Sequence, residues 1–144
     1  MNLSTLVDLI SNDWVLIESK AKRLTFRLGE EIIREGTSIQ HLYVIRKGSA
    51  SVEIAGVHSR ATIATLAPGD ICGEIAFLVD SRATAAVIAK EDVEVDAISA
   101  IDLRELIQTF PGFGVRFYHS LAVLLGHRLR QTSQELLRVM VLKG

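Results

Sequence analysis

The sequence predicts a mainly β domain with helices at both ends. Between Leu24 and Ile98, short runs of apolar residues alternate with polar ones, which is the pattern of half-buried strands. Turn-forming residues separate these runs, and helical spacing replaces the alternation on both sides of the region. Many short strands divided by turns are typical of a β-sandwich or barrel. A length of 144 residues suits one such domain, so we predict a single domain over residues 1–144.

Residues 1–20 are predicted to form two short helices. Apolar side chains recur at helical spacing from Leu3 to Ile10. The polar residues 11–13 interrupt this pattern, which resumes at Trp14. We therefore expect one helix on each side of the interruption.

Residues 21–99 are predicted to contain the strands. The alternating apolar positions that define them are Leu24, Phe26, Leu28, Val52, Ile54, Ile63, Leu66, Val87, Ala89, Val93, Val95 and Ala97. The predicted turns fall at Gly29, Gly36, Gly48, Gly56, Pro68-Gly69 and Lys90-Glu91-Asp92.

Residues 100–142 are predicted to form helices. Helical spacing begins near residue 100, breaks at the Pro-Gly-Phe-Gly run of residues 111–114, and continues as one long final helix. Leu121 and Leu124 lie on one stripe of that helix, which we expect to pack against the barrel. A neighbouring stripe is spaced alternately by three and four, as in a coiled-coil seam, through Val115, Tyr118, Ala122, Leu125, Leu129, Thr132, Leu136 and Val139. This seam predicts a parallel homodimer through the final helix.

Charge and composition exclude several kinds of partner. The formal net charge of −1 gives no general attraction to nucleic acid, and too few residues follow position 141 for a recognition helix. We therefore expect no nucleic-acid partner for this chain. No apolar run approaches the roughly 18 residues of a membrane-spanning helix. The first residues lack the pattern of a signal peptide, which predicts a cytoplasmic protein.

The most informative motif is Gly69-Asp70-Ile71-Cys72-Gly73-Glu74-Ile75-Ala76-Phe77-Leu78, followed by Arg82, Ala83 and Thr84. We call residues 69–78 and 82–84 the cassette. Gly73 permits a turn that side chains would block, and the apolar run after Glu74 suits a short helix whose first amides can face an anion. Glu74 can accept hydrogen bonds from hydroxyl groups, while Arg82 is the nearby cation for a phosphate. The cassette is therefore predicted to bind a sugar and a phosphate together.

This motif resembles the phosphate-binding cassette of the cyclic nucleotide-binding domain family. Residues 32–37 and 42–48 resemble the early strands of the same family, and the similarity extends over most of residues 20–140. The resemblance implies a β jelly roll, or double-stranded β-helix, with N-terminal helices and a long C-terminal helix. It implies cAMP or cGMP as the ligand and no required cofactor. The ligand-binding residues that it implies in the cassette are Gly73, Glu74, Ile75, Ala76, Arg82, Ala83 and Thr84.

The cassette departs from the family pattern at its arginine. Arg82 lies one residue before the position of the family's phosphate arginine, and the match then resumes without a gap at residues 85–89. Ala83 therefore occupies the place of the arginine. In an extended segment, a shift of one residue turns a side chain to the other face. A misdirected Arg82 would remove one charge-assisted contact, roughly 1.5 to 3 kcal/mol. Thr84 matches family members that prefer cGMP.

The final helix carries a second resemblance. Residues 128–133 are similar to the helix of family members in which an adjacent Thr-Ser pair contacts the purine from both subunits. The resemblance implies this role for Thr132 and Ser133. From the residues alone, Thr132 is equally well explained as a polar member of the dimer seam that fixes its register.

Motifs for catalysis are absent from the sequence. It contains no Gly-x-Ser-x-Gly, no P-loop and no His-Glu-x-x-His, and its four histidines lack the spacing of a metal site. We therefore expect neither an enzyme nor a metal centre. Two functions remain open: a cyclic nucleotide sensor that regulates an unknown effector protein, and a degenerate relative that binds no nucleotide and serves as a dimerisation or protein-interaction module.

Overall fold

The alternating region folds into strands, as predicted, in a computed structural model that describes residues 6–79 and 82–143. The strands are β1 Lys22–Phe26, β2 Glu31–Ile33, β3 His41–Lys47, β4 Ala50–Ala55, β5 Arg60–Leu66, β6 Ile71–Cys72, β7 Ala86–Ala89 and β8 Val93–Ser99. The helices are α1 Ser11–Lys20, α2 Glu74–Leu78, α3 Ala100–Thr109 and α4 Pro111–Lys143. The prediction of a mainly β domain with flanking helices is confirmed.

Two four-stranded sheets make up the β part of the described chain. Their strand orders are β1-β8-β3-β6 and β2-β7-β4-β5, and the paired strands run antiparallel. Every pairing except β4 with β5 joins strands that are not consecutive in the sequence. The sheets are therefore interleaved along the chain.

Strand β3 divides its apolar residues between two cores. Leu42 and Val44 face the helices and are nearly inaccessible, whereas Ile45 and the half-buried Tyr43 face the opposite sheet. This division follows from the two-residue period of a strand. One core therefore lies between the sheets, and the other lies between a sheet and the helices.

Helix α4 packs against the second core through the predicted stripe. Leu121 and Leu124 are each only 1 % exposed and join a cluster with Leu42 and Val44. Most of the neighbouring seam stays open to solvent, since Val115 is 71 % and Leu129 is 68 % exposed, while Leu125 is partly buried against the same core. Helix α4 thus has one face committed to the domain and a second apolar face without a partner in the single chain.

The prediction of two N-terminal helices is wrong for the described residues. Residues 6–10 form no helix, and Ser11, which was predicted to belong to a break, is the first residue of α1. The reason is Asp13, whose carboxylate accepts a hydrogen bond from the Ile10 amide at the start of the helix (3.1 Å). Asp13 is fully buried and forms a bidentate pair with Arg116 of α4, with contacts of 2.7 and 2.9 Å. Leu3 lies outside the described residues.

The predicted break at residues 111–114 is also corrected. Only Phe110 separates α3 from α4, and Pro111 is the first residue of α4, a position that a proline tolerates because its missing N–H needs no partner there. A Cβ on Gly114 would lie 2.9 Å from Ile107 Cγ2. The glycine therefore permits the close approach of α3 and α4.

No helix within residues 6–79 and 82–143 has the length and apolar character needed to cross a bilayer.

Candidate functional site

The cassette begins with a turn that only glycine accommodates well. Strand β6 leads into Gly73, whose φ of +88° lies in the left-handed region, and α2 begins at the next residue. A Cβ at this position would also lie 2.5 Å from the His41 carbonyl oxygen. The turn thus brings the start of α2 close to β3.

Glu74, the first residue of α2, is buried and only half satisfied. Its side chain is 4 % exposed, and Oε1 forms an ion pair with the Arg128 Nη1 atom of α4. Oε2 is buried and has no hydrogen-bond partner. Because a buried carboxylate oxygen without a donor is costly, this atom is suited to a ligand that brings a hydroxyl or amine.

Arg128 is a site residue that the sequence analysis did not identify. Its guanidinium also donates to the Ile71 carbonyl oxygen at 3.4 Å. It lies four residues after Leu124 and seven after Leu121, so it continues the stripe that packs on the barrel. A cation on an apolar, inward-facing stripe was the signal in the sequence for a buried carboxylate partner.

The surroundings of Arg128 are largely dry. Burial lowers the pKa of this guanidinium, and Cys72 and Asp70 oppose that shift. Burial raises the pKa of the Cys72 thiol to about 12. The thiol is therefore uncharged at physiological pH. Asp70 is also buried, and its Oδ2 accepts a hydrogen bond from the Ala67 amide at 2.8 Å.

Arg82 and Ala83 point in opposite directions. Arg82 is exposed, and its Nη1 donates to the Gly36 carbonyl oxygen at 3.0 Å. Ala83 is 9 % exposed and packs into the core between the sheets. The two residues therefore occupy the opposite faces that the one-residue shift predicted. Thr84 is exposed.

The remaining predicted site residues lie on two helices. Ile75 of α2 is 48 % exposed, while the Ala76 side chain lies outside the described part of the chain. Thr132 and Ser133 are exposed on α4, one turn beyond Arg128, and the Thr132 hydroxyl donates to the Arg128 carbonyl oxygen at 2.9 Å. The structure thus joins the cassette to α4 at Glu74 and Arg128, and gives Thr132 a bond within its own helix.

Phe77 makes a second connection between the cassette and the helices. Its ring lies 5.6 Å from the Phe117 ring, edge to face, and 6.3 Å from the Tyr118 ring. The Arg104 guanidinium of α3 lies 5.2 Å from the centre of the same ring. A movement of α2 would therefore disturb both α3 and α4.

A small cavity lies beside the turn at Gly73. Its volume is about 200 Å³, and it is bordered by Arg34, Thr37, Ser38, Ile39, His41 and Tyr43, among others. Burial, with a smaller effect from Cys72, raises the pKa of Tyr43. The cavity holds no group of histidine, cysteine or carboxylate side chains suited to a metal, and neither does any other part of the described residues.

Comparison with known proteins identifies the family. The sequence model of the family described as "Cyclic nucleotide-binding domain" matches residues 23–110. The chain therefore belongs to the cyclic nucleotide-binding domain family, which confirms the resemblance carried by the cassette.

Two curated relatives and one solved structure illustrate the relationship. The chain is 32% identical over 118 residues to the cyclic AMP receptor protein of Thermus thermophilus. The aligned residues cover 80% of this chain and 52% of that protein. It is 32% identical over 138 residues to cyclic GMP-binding protein C of Dictyostelium discoideum, covering 90% of this chain and 5% of that protein. The crystal structure of the Thermus thermophilus catabolite activator protein superposes with a TM-score of 0.80 at 29% identity, covering 92% of this chain and 61% of that one.

These comparisons also bear on the fold and on the extent of the similarity. The predicted jelly roll with a long C-terminal helix is confirmed by the superposition. The chain spans about half the length of the first curated relative and a small part of the second. The similarity therefore concerns one domain of each relative.

Proposed function

We propose that this chain is a regulatory module that binds a cyclic nucleotide, either cAMP or cGMP, and has no catalytic activity of its own. The observation that carries the proposal is the Glu74 Oε2 atom, which is buried without a hydrogen-bond partner in the cassette of a cyclic nucleotide-binding domain. A ribose hydroxyl would satisfy this oxygen. The bond would recover the cost of burying an unpaired acceptor.

The rest of the ligand is proposed to contact the start of α2 and the surface of α4. The first amides of a helix have no acceptor within the helix, so those near Gly73 and Glu74 can donate to a phosphate oxygen. Thr132 and Ser133 are proposed to contact the base, since their hydroxyls can bond to a purine without a charge. Ala83 and Thr84 stay predicted contacts on the phosphate side, whereas Arg82, whose guanidinium is bound to the Gly36 carbonyl oxygen, is not proposed as one.

Binding is proposed to be transmitted through the contacts between the cassette and the helices. Glu74 holds Arg128 of α4, and Phe77 of α2 packs on Phe117 of the same helix. A hydroxyl that donates to Glu74 shares the carboxylate with Arg128 and so changes the strength of the first contact. The position of α4 would therefore depend on whether the site is occupied, and an effector protein would respond to that position.

We further propose that α4 forms a parallel homodimer. Leu129 and Leu136 of the seam are 68 % and 60 % exposed in the single chain, and a second copy would remove them from water. No contact with nucleic acid or with a membrane is proposed for this chain.

The names of the relatives support the ligand class but leave two nucleotides. One relative is named for cyclic AMP and the other for cyclic GMP, and their identities to this chain are the same, at 32%. Thr84 favours cGMP through the family resemblance. Isothermal titration with each nucleotide separates the two ligands.

A second candidate function is favoured by Ala83. An apolar residue that packs into the core at the place of the phosphate arginine removes the family's main charge contact. The alternative is a module that binds no nucleotide and serves only in dimerisation or protein interaction. Titration with cAMP and cGMP decides between the two: heat of binding supports the sensor, and its absence from folded protein at millimolar ligand, on the order of the weakest measurable affinities, supports the alternative.

A further inference from the structure

The site carries an unusual balance of charge. Asp70 and Glu74 are both nearly inaccessible to solvent and contribute two carboxylates. Arg128 is the cation that pairs with Glu74, and its charge also interacts with Asp70. A negatively charged ligand would add a further anion to a partly buried group that already contains two carboxylates and one guanidinium.

The guanidinium groups of Arg104 and Arg82, which lie beside the cassette, are held elsewhere, whereas the exposed Arg34 borders the cavity beside Gly73. Arg104 contacts the Phe77 ring, and its Nη2 lies 3.5 Å from the Phe77 carbonyl oxygen at the far end of α2. Arg82 donates to the Gly36 carbonyl oxygen. Neither of these contacts directs a charge toward Glu74.

Backbone hydrogen bonds fix this register. The Ala83 amide donates to the Thr37 carbonyl oxygen at 2.8 Å, and the Gly36 amide donates to the Ala83 carbonyl oxygen, also at 2.8 Å. Bringing Arg82 to the inner face would require a shift of one residue, which breaks both bonds and removes the Ala83 methyl group from the core. The outward direction of Arg82 is therefore built into the fold.

From this geometry we infer that the site has lost its selection for charge, so that it binds an uncharged nucleoside at least as tightly as the corresponding cyclic nucleotide. The inference rests on the proposed function, because it requires a ribose hydroxyl to donate to Glu74 Oε2. A nucleoside supplies that hydroxyl. A cyclic nucleotide supplies it too, but its phosphate must leave water without a guanidinium at the inner face, where the residue is Ala83.

The test is isothermal titration of the full chain with adenosine, cAMP, guanosine and cGMP at fixed ionic strength, with 2′-deoxyadenosine as the probe for the hydroxyl. We expect each nucleoside to bind as tightly as its cyclic phosphate or more tightly. We also expect 2′-deoxyadenosine to bind about 10- to 150-fold more weakly than adenosine, the range for a hydrogen bond to a charged group. A cyclic nucleotide that binds about tenfold more tightly than its nucleoside overturns the inference.

Two variants separate the role of position 83 from that of Arg82. Ala83→Arg restores a cation on the inner face. It should raise the affinity for cAMP, relative to the affinity for adenosine, by about tenfold or more. Arg82→Ala is the matched control and should leave the ratio of the two affinities unchanged, because its guanidinium points away. If Ala83→Arg fails to fold, the wild-type ratio and the Arg82→Ala control still decide the question. If Arg82→Ala weakens the binding of cAMP but not that of adenosine, the inference is contradicted.

The outcomes distinguish this inference from the proposed function. If cyclic nucleotides bind and nucleosides do not, the inference fails and the proposed function stands. If none of the five probes binds to the folded chain, both fail. If 2′-deoxyadenosine binds as tightly as adenosine, the role of Glu74 as the ribose acceptor fails, and the inference fails with it.

Discussion

Arg82 and Ala83 are neighbours in sequence whose side chains lie on opposite faces of one extended segment. The Arg82 guanidinium is bound to the Gly36 carbonyl oxygen on the outside, and the Ala83 methyl group is packed between the sheets. The cassette therefore keeps the glycine turn and the glutamate of its family while its arginine faces solvent.

The ribose contact is tested by Glu74→Ala. If Glu74 Oε2 accepts the ribose hydroxyl, this change should weaken cAMP or cGMP binding by about 1.5 to 3 kcal/mol. Isothermal titration measures the effect. The matched control is Glu135→Ala, which removes an exposed glutamate of α4 that pairs with Arg138. An unchanged dissociation constant for Glu74→Ala would show that Glu74 serves only its pair with Arg128 and does not contact the ligand.

The Glu74 and Arg128 pair should stabilise the fold only as a pair. Arg128→Leu leaves a buried carboxylate without its cation, and we expect a loss of about 2 to 4 kcal/mol in the free energy of unfolding, discounted because Arg128 is 29% exposed. The double variant Glu74→Leu with Arg128→Leu should recover most of that loss. Urea denaturation of both variants measures the coupling. Equal losses in the single and double variants would contradict a buried ion pair.

Asp13 should make stability depend on pH. The hydrogen bond from the Arg116 side chain lowers the pKa of Asp13; burial opposes this shift, while the Ile10 amide and the charge of Arg116 add to it. Because the folded pKa lies below the unfolded value, the stabilisation is present above that value and is lost as pH falls through the folded pKa. We expect Asp13→Asn to lower the free energy of unfolding by about 2 kcal/mol at pH 7.

The Asp13→Asn variant also tests the direction in which stability changes with pH. The difference between wild type and Asp13→Asn should shrink as pH falls below the ordinary aspartate pKa of about 3.9 and on through the lowered pKa of the folded state. Urea denaturation at several pH values measures this difference. A difference that is constant with pH would mean that Asp13 stabilises α1 by shape and not by its charge.

The final helix should hold two chains together. We expect sedimentation to show a dimer at tens of micromolar, on the order of ordinary assay concentrations. Leu136→Glu should yield monomers because it puts a charge into the seam, whereas Leu137→Glu, at a neighbouring position that is 62 % exposed but off the seam, should leave the dimer intact. A monomeric wild type, or equal effects of the two variants, would contradict the seam.

Local patterns made much of the fold predictable. The two-residue period located the strands, and helical spacing on α4 identified Leu121 and Leu124 as residues that face the barrel. Gly73 was predictable because a tight turn before a short helix requires a residue that tolerates a positive φ. Each of these signals lies within a few residues of the feature that it predicts.

Features that depend on distant contacts were not predictable in the same way. Asp13 belongs to the start of α1 because Arg116, 103 residues away, holds its carboxylate, so a polar run looked like a break in a helix. The partner of Glu74 lies on α4, and its identity depends on how that helix docks. The outward direction of Arg82 was predictable because successive side chains of an extended segment point to opposite faces.

The central claim is that Ala83 holds the position from which a guanidinium reaches the phosphate, and the most direct test is to exchange the pair, Arg82→Ala with Ala83→Arg. The exchange keeps composition and net charge constant, so a change in affinity must come from the direction of the guanidinium. Isothermal titration with cAMP and cGMP should give binding at least about tenfold tighter than wild type. Weaker binding after the exchange would contradict the account, because it would mean that Arg82 already contacts the phosphate in the natural sequence.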